Sequence, residues 1–179
     1  QSVTFSVLDY PHKRDSVGRP LPGMQIRIDN PDVDGVGEIH LTGPMVMTGY
    51  IGKEPIDGDL NTDDIGYVDE DGFVYILNRR KDLIISGGEN IYPKELEDLV
   101  YTLPAVKECA VVPVSDIKWG QVPALFVAFN DGESMTADAI LSFMTQSLAK
   151  YKIPKYVKIL PALPRNGTGK IVRNELRLE

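Results

Sequence analysis

The stretch Asn78-Arg-Arg-Lys-Asp-Leu-Ile-Ile-Ser-Gly-Gly-Glu-Asn-Ile-Tyr-Pro93 separates two kinds of sequence. Charged residues give way to the apolar run Leu83-Ile84-Ile85, then to Gly87-Gly88, and then to Pro93 at the head of a helical pattern. A strand ending in two glycines brings bare backbone close to a ligand or to another strand. Proline suits the first position of a helix because its fixed φ is already helical. Upstream, residues 1–80 read as short strands and turns; downstream, in 81–179, helical and strand patterns alternate. The stretch is a domain junction, a site, or both.

In the upstream part, Val3, Phe5 and Val7 alternate with polar residues and predict a half-buried strand. Residues 10–15 read as a loop. Met24–Ile28 and Gly37–Thr42 flank a turn over Asp29–Gly35 and predict a β-hairpin. Asn30, Asp32, Asp34 and Gly35 evoke a calcium loop, but Leu41 occupies the twelfth position, where a carboxylate is needed. Ile65–Val68 and Phe73–Leu77 predict a second hairpin about Asp71-Gly72, with Asp69–Gly72 read as a solvated turn. Asp63 and Asp64 are placed before that strand. A carboxylate there either accepts hydrogen bonds from sugar hydroxyls or merely ends the strand.

Downstream, Leu96, Leu99, Val100 and Leu103 form a helical stripe, with Glu95 and Glu97 near the positive end of the helix, and Pro104 stops it. Val106–Pro113 predicts a buried strand with Val122–Phe129 as its antiparallel partner. Trp119, in the loop between them, is either a core plug or a platform for a planar ligand. Ser134–Lys150 predicts an amphipathic helix, and Tyr156–Leu160 a further strand. Near the end, Gly167 and Gly169 flank Thr168 and precede Lys170, which is expected to open a short helical segment. Pro164 stands where a Walker A loop requires Gly. A mobile Gly-rich turn carrying Lys170 suits an anionic partner brought in when the loop closes, although an isolated surface lysine needs no function at all.

A net charge of −7 with no long basic run argues against a nucleic-acid partner. No apolar segment reaches membrane-spanning length. Cys109, the single cysteine, lies in an apolar run and reads as a small core residue, in keeping with a cytoplasmic setting. No signal peptide is visible, and the chain starts at Gln1 in what reads as mid-domain strand, so a piece of a longer protein is expected.

Three stretches together point to a family: Thr62–Phe73, Asn78–Glu97 and Leu163–Arg173. In this order and spacing the chain resembles the C-terminal third of the adenylate-forming enzymes, which include acyl-CoA synthetases, luciferases and peptide-synthetase adenylation domains. Ile84–Pro93 and Trp119-Gly-Gln are most similar to bacterial aryl and acyl acid–CoA ligases. The resemblance implies an α+β fold in two parts. Residues 1–80 would be the β-rich end of the large N-terminal adenylation domain, and 81–179 a small mobile C-terminal α+β lid domain.

It also implies the following roles. Asp64 and Arg79 bind the ATP ribose, although Asp63 stands where the family usually has Gly. Lys81 is the hinge, Gly87 and Gly88 line the tunnel for the pantetheine thiol, Trp119 lies near the CoA entrance, and Tyr151 lies near the CoA nucleotide. Lys170 is the catalytic lysine that meets the carboxylate and the α-phosphate. The substrates implied are a small carboxylic acid, ATP with Mg2+, and CoA, with no metal ligand in this chain. The partner implied is the upstream N-terminal domain of the same protein, without which residues 1–179 are expected to be inactive. A fatty-acid or coumarate-type CoA ligase, a carrier-protein-loading domain, and a non-catalytic binding module remain as alternatives.

Overall fold

The computed structural model describes residues 10–52 and 54–178. The strand expected over Val3–Leu8 lies outside the described residues. The chain divides after Lys81 into two compact units.

The first unit is a four-stranded antiparallel meander of β1 (Gln25–Asp29), β2 (Gly37–Thr42), β3 (Leu60–Val68) and β4 (Val74–Arg79). Ile28 faces Ile39 and Ile26 faces Leu41 across the first hairpin, so the period-two pattern delivers one apolar face. Ile39, Leu41 and Val74 form its core, with Ile26, Ile28, Val46 and Leu60 packed against them. The β1–β2 turn is tied by Asp32, whose Oδ1 accepts from the amides of Asp34 and Val36 at 3.0 Å each.

Two expectations are corrected here. Asp63 and Asp64 do not precede a strand; they lie inside β3. Glu38 pairs with Ile65 and His40 with Asn61, so Thr62–Asp64 bulge opposite Ile39 alone. Nor is Asp69 only a solvated turn residue. Its carboxylate accepts from the amides of Asp71 and Phe73, from the Tyr75 hydroxyl, and from Lys13 at 2.6 Å, tying the β3–β4 turn to the preceding segment.

The second unit is built on a long hairpin, β7 (Val106–Asp116) and β8 (Gly120–Phe129). The short hairpin β5 (Ile84–Ser86) and β6 (Glu89–Ile91) joins β8 at Ser86, and β9 (Tyr156–Ile159) pairs parallel to β8. Helices α1 (Pro93–Tyr101) and α2 (Ala137–Met144) cover one face, where Leu96, Val100, Ile140 and Met144 meet Val111, Leu125 and Val127. Leu163 and Leu176 cover the other face, over Ala110, Val112, Phe126 and Ala128. Burial on both faces explains why the strands read as continuous apolar runs.

Helix α2 is shorter than the expected Ser134–Lys150. Thr136 caps its start by accepting from the Ala139 amide at 3.2 Å. At its end the Thr145 hydroxyl donates to the Ser142 carbonyl, a local bond that competes with helix continuation. Lys170 also departs from expectation. It opens no helix, but sits in a turn closed by a bridge between Arg165 and Ile171, ahead of a single 3-10 turn at Arg173–Glu175.

Candidate active site

In the first unit, the bulge in β3 brings two of the singled-out residues together. Arg79, at the end of β4, is the register partner of Asp64. Its Nε lies 2.9 Å from Asp64 Oδ1, and its Nη1 donates to the Thr62 carbonyl at 3.1 Å. The Asp64 amide donates to Thr62 Oγ1 at 3.2 Å, so Thr62 supports both members of the pair. Asp63 has φ 59°, in the left-handed region, and its amide donates to Asn61 Oδ1 at 2.8 Å. That backbone conformation favours glycine, the residue the resemblance leads one to expect there.

Burial pushes the Asp64 carboxyl above its ordinary value, against the pull of Arg79. Asp59, Asp69, Asp116 and Glu108 move the other way, held low by their partners. A carboxylate that its own partners do not fully satisfy, at the rim of a concave surface, is a ligand-site candidate. Asp64 and Arg79 line a hollow of about 760 Å³ together with Asn61 and Thr62 and with apolar residues including Ile26 and Leu60. Lys81 lies in the 3-10 turn Arg80–Asp82 that follows β4, exposed, at the point where the chain leaves this unit.

In the second unit, Gly87 and Gly88 form the two-residue turn between β5 and β6, with φ 60° and 92°. Positive φ at both positions is the hairpin turn whose twist matches the strands. A β-carbon built on Gly87 would come within 2.6 Å of Trp119 Cε3, and the Gly87 amide donates to the Trp119 carbonyl at 2.8 Å. The bare glycine therefore allows the indole to lie against the turn. Trp119 is 47% exposed, so it is no core plug. Asp116 anchors its loop by accepting from the Lys118 and Trp119 amides, and Asp116 Oδ2 lies 2.5 Å from Lys155 Nζ.

Trp119 and Tyr151 line one mainly apolar hollow of about 610 Å³, with Ser86, Val122, Pro123 and Ile153 and with Lys150 and Lys155. An aromatic and apolar wall with two ammonium groups suits a ligand with a planar or alkyl part and an anionic part. Sequence reading missed both lysines. Their signal was the alternation of basic and apolar residues in Lys150–Lys155.

Lys170 lines neither hollow. Its side chain is exposed and makes no ion pair among the described residues. Its turn is firmly built. Asn166 Oδ1 accepts from the Thr168 amide, the Thr168 hydroxyl and the Lys170 amide, and the Asn166 amide donates to the Lys170 carbonyl. The Gly-rich segment thus forms an Asx-type turn. Two buried acids anchor the flanking segments. Glu108 accepts from the Leu163 amide and pairs with Arg165, and Glu97 pairs with Arg173 at 2.5 and 2.9 Å.

Residues 95–170 match the family described as AMP-binding enzyme C-terminal domain. The 2-succinylbenzoate–CoA ligase of Lactococcus lactis is 56% identical over 177 residues, 99% of this chain and 38% of that protein. Residues 95–170 thus belong to the AMP-binding enzyme C-terminal domain family. A solved structure of o-succinylbenzoate CoA synthetase from Bacillus subtilis, in complex with the acyl-adenylate intermediate OSB-AMP, superposes with a TM-score of 0.89 at 40% identity, over 100% of this chain and 39% of that one. The same synthetase with ATP and magnesium ion gives a TM-score of 0.86 at 39% identity, over 98% and 38%. The chain thus spans somewhat more than a third of the length of these adenylate-forming relatives, and its α+β class is theirs. Among the described residues no helix is long and apolar enough to cross a membrane.

Proposed function

We propose that this chain is the C-terminal part of an AMP-forming acid–CoA ligase that converts 2-succinylbenzoate to 2-succinylbenzoyl-CoA, a step of menaquinone biosynthesis in the cytoplasm. The first unit is the β-rich end of the large domain, and residues from about 81 onward are the mobile lid. The observation that carries this reading is the 56% identity, across nearly the whole chain, with a relative named for that reaction.

The chemistry divides between the two units. In the first half-reaction a carboxylate oxygen attacks the α-phosphorus of ATP, the bond to pyrophosphate breaks, and acyl-AMP forms. Asp64 accepts from the ribose hydroxyls, and Arg79 holds Asp64 and adds donors of its own. Lys170 brings a cation to the point where two anions meet, which stabilises the charge developing in the transition state. An ammonium on an exposed turn, with no ion pair among the described residues, is free to be delivered there. Magnesium enters with the ATP phosphates. Among the described residues no group of three or more His, Cys, Asp or Glu side chains is placed to hold a metal ion.

In the second half-reaction the CoA thiolate attacks the acyl carbonyl and expels AMP. Rotation about Lys81 takes Lys170 away and brings the Gly87-Gly88 turn to the thiol path. A short hinge that absorbs a large backbone change is a common basis for domain closure. The Trp119–Tyr151 hollow takes the apolar arm of CoA, and Lys150 supplies charge for its phosphates, Lys155 being paired with Asp116.

Pyrophosphate release by the full-length protein, measured across a panel of aryl, fatty and dicarboxylic acids with and without CoA, tests the reading. The expected result is release with 2-succinylbenzoate and a CoA thioester product. A preference for fatty acids, or loading of a carrier protein instead of CoA, would refute the substrate assignment. Residues 1–179 alone should form no acyl-AMP.

A further inference from the structure

We infer that Glu108 is a positioning residue for Lys170, acting through Arg165 to fix the backbone of the lysine's turn to the central sheet, so that the lysine travels with its domain as a rigid attachment. The inference rests on the proposed role of Lys170 in adenylation. Glu108 lies on β7, faces the C-terminal segment, is only 5% exposed, and lines neither hollow. A buried carboxylate is costly unless each of its oxygens is engaged. Here Oε1 accepts from the Leu163 amide at 2.8 Å, and Oε2 accepts from Arg165 Nε at 3.0 Å and also from Nη2. Burial works against the charge, but the Leu163 amide and Arg165 outweigh it and hold the carboxyl below its ordinary value.

The remaining arm of the guanidinium points onward: Arg165 Nη1 donates to the Gly169 carbonyl, immediately before Lys170. The planar guanidinium therefore links a β7 carboxylate to the tip of the turn, spanning 57 residues of sequence from Glu108 to Arg165. Asn166 fixes the interior of the same turn through its three accepted bonds. The lysine stem has many rotamers of its own, so the only part of Lys170 the fold can preorganise is its backbone. That is the part this chain of bonds controls. Displacement of a reacting group by about 1 Å costs on the order of a hundredfold in rate, which makes such a brace matter to the chemistry.

The test uses the full-length protein and its variants E108Q, R165Q, K170A and E108Q/K170A. Single-turnover pyrophosphate release reports adenylation, CoA thioester formation from supplied 2-succinylbenzoyl-AMP reports the second half-reaction, and thermal melting reports folding. E108Q is expected to slow adenylation roughly tenfold to a hundredfold at saturating ATP and acid, with KM for ATP and thioester formation essentially unchanged. In the K170A background, E108Q should add almost nothing, because it acts through the lysine. Should E108Q fail to fold, R165Q, at an exposed side chain, carries the same expectations. Equal loss in both half-reactions, or losses of E108Q and K170A that multiply, would overturn the inference. A slow K170A beside a wild-type E108Q would overturn it while leaving the role of Lys170 intact. Undiminished adenylation by K170A would overturn that role and the inference with it.

Discussion

At Asp63 the backbone takes a left-handed conformation that glycine adopts most readily. The residue sits at φ 59° in a bulge whose other members, Thr62 and Asp64, hold the Arg79 side chain. Aspartate tolerates that region better than most residues, yet glycine occupies it without strain. Asp63→Gly should therefore leave stability unchanged or raise it by up to about 1 kcal/mol, and Asp63→Val should lower it by more than about 1 kcal/mol, both read from urea midpoints. Gly87 is the reverse case. It also has positive φ, and a methyl group there would strike the Trp119 ring. Gly87→Ala should impair thioester formation while adenylation proceeds. Cys109 is buried, and its thiol is pushed up to about 12, chiefly by that burial. It should resist thiol reagents in the folded protein and react fully in urea. Residue types were legible in sequence at all three positions. The bulge was not, because it arises from a register shift against β2 that no local pattern encodes.

Among the elements, the strands and α1 follow from apolar periodicity, whereas the charged ties between them were invisible. Glu97 read as an acid near the positive end of α1. Instead it is 8% exposed, accepts from the Val111 amide at 2.7 Å, and pairs with Arg173, 76 residues away. The pair docks the C-terminal segment on α1 and β7. Arg173→Met would leave a buried carboxylate without its cation and should destabilise the second unit by about 3 kcal/mol in chemical denaturation. In the first unit, Lys13 holds the Asp69 carboxyl at about 2, below its ordinary 3.8, aided by Phe73 and Tyr75 and opposed by desolvation. A carboxyl depressed in the folded state contributes stability that is complete above its unfolded value and is lost as pH falls through the folded one. Unfolding midpoints should therefore drop between pH 4 and 2, and Asp69→Asn should flatten that drop. Long-range pairs of this kind have no sequence period. The length of α2 was misread for a related reason: its apolar stripe continues past Met144, while a local hydroxyl bond from Thr145 to the Ser142 carbonyl competes with the helix at its end.

For the whole molecule, the proposed division of labour follows the division of the chain. Asp64 and Arg79 lie before Lys81, and Gly87, Trp119 and Lys170 after it. Three motifs made the family legible in the sequence. The hollow with Lys150 and Lys155 and the bracing of the Lys170 turn emerged only from the fold, because both depend on contacts distant in sequence. In the proposed mechanism this segment serves two half-reactions with two different surfaces. The most direct test compares Lys170→Ala and Gly87→Ala in the full-length protein by single-turnover kinetics. Lys170→Ala should lose pyrophosphate release by roughly a hundredfold or more yet still make thioester from supplied acyl-AMP, and Gly87→Ala should do the opposite. If each variant slowed both half-reactions equally, the two-surface account would be contradicted.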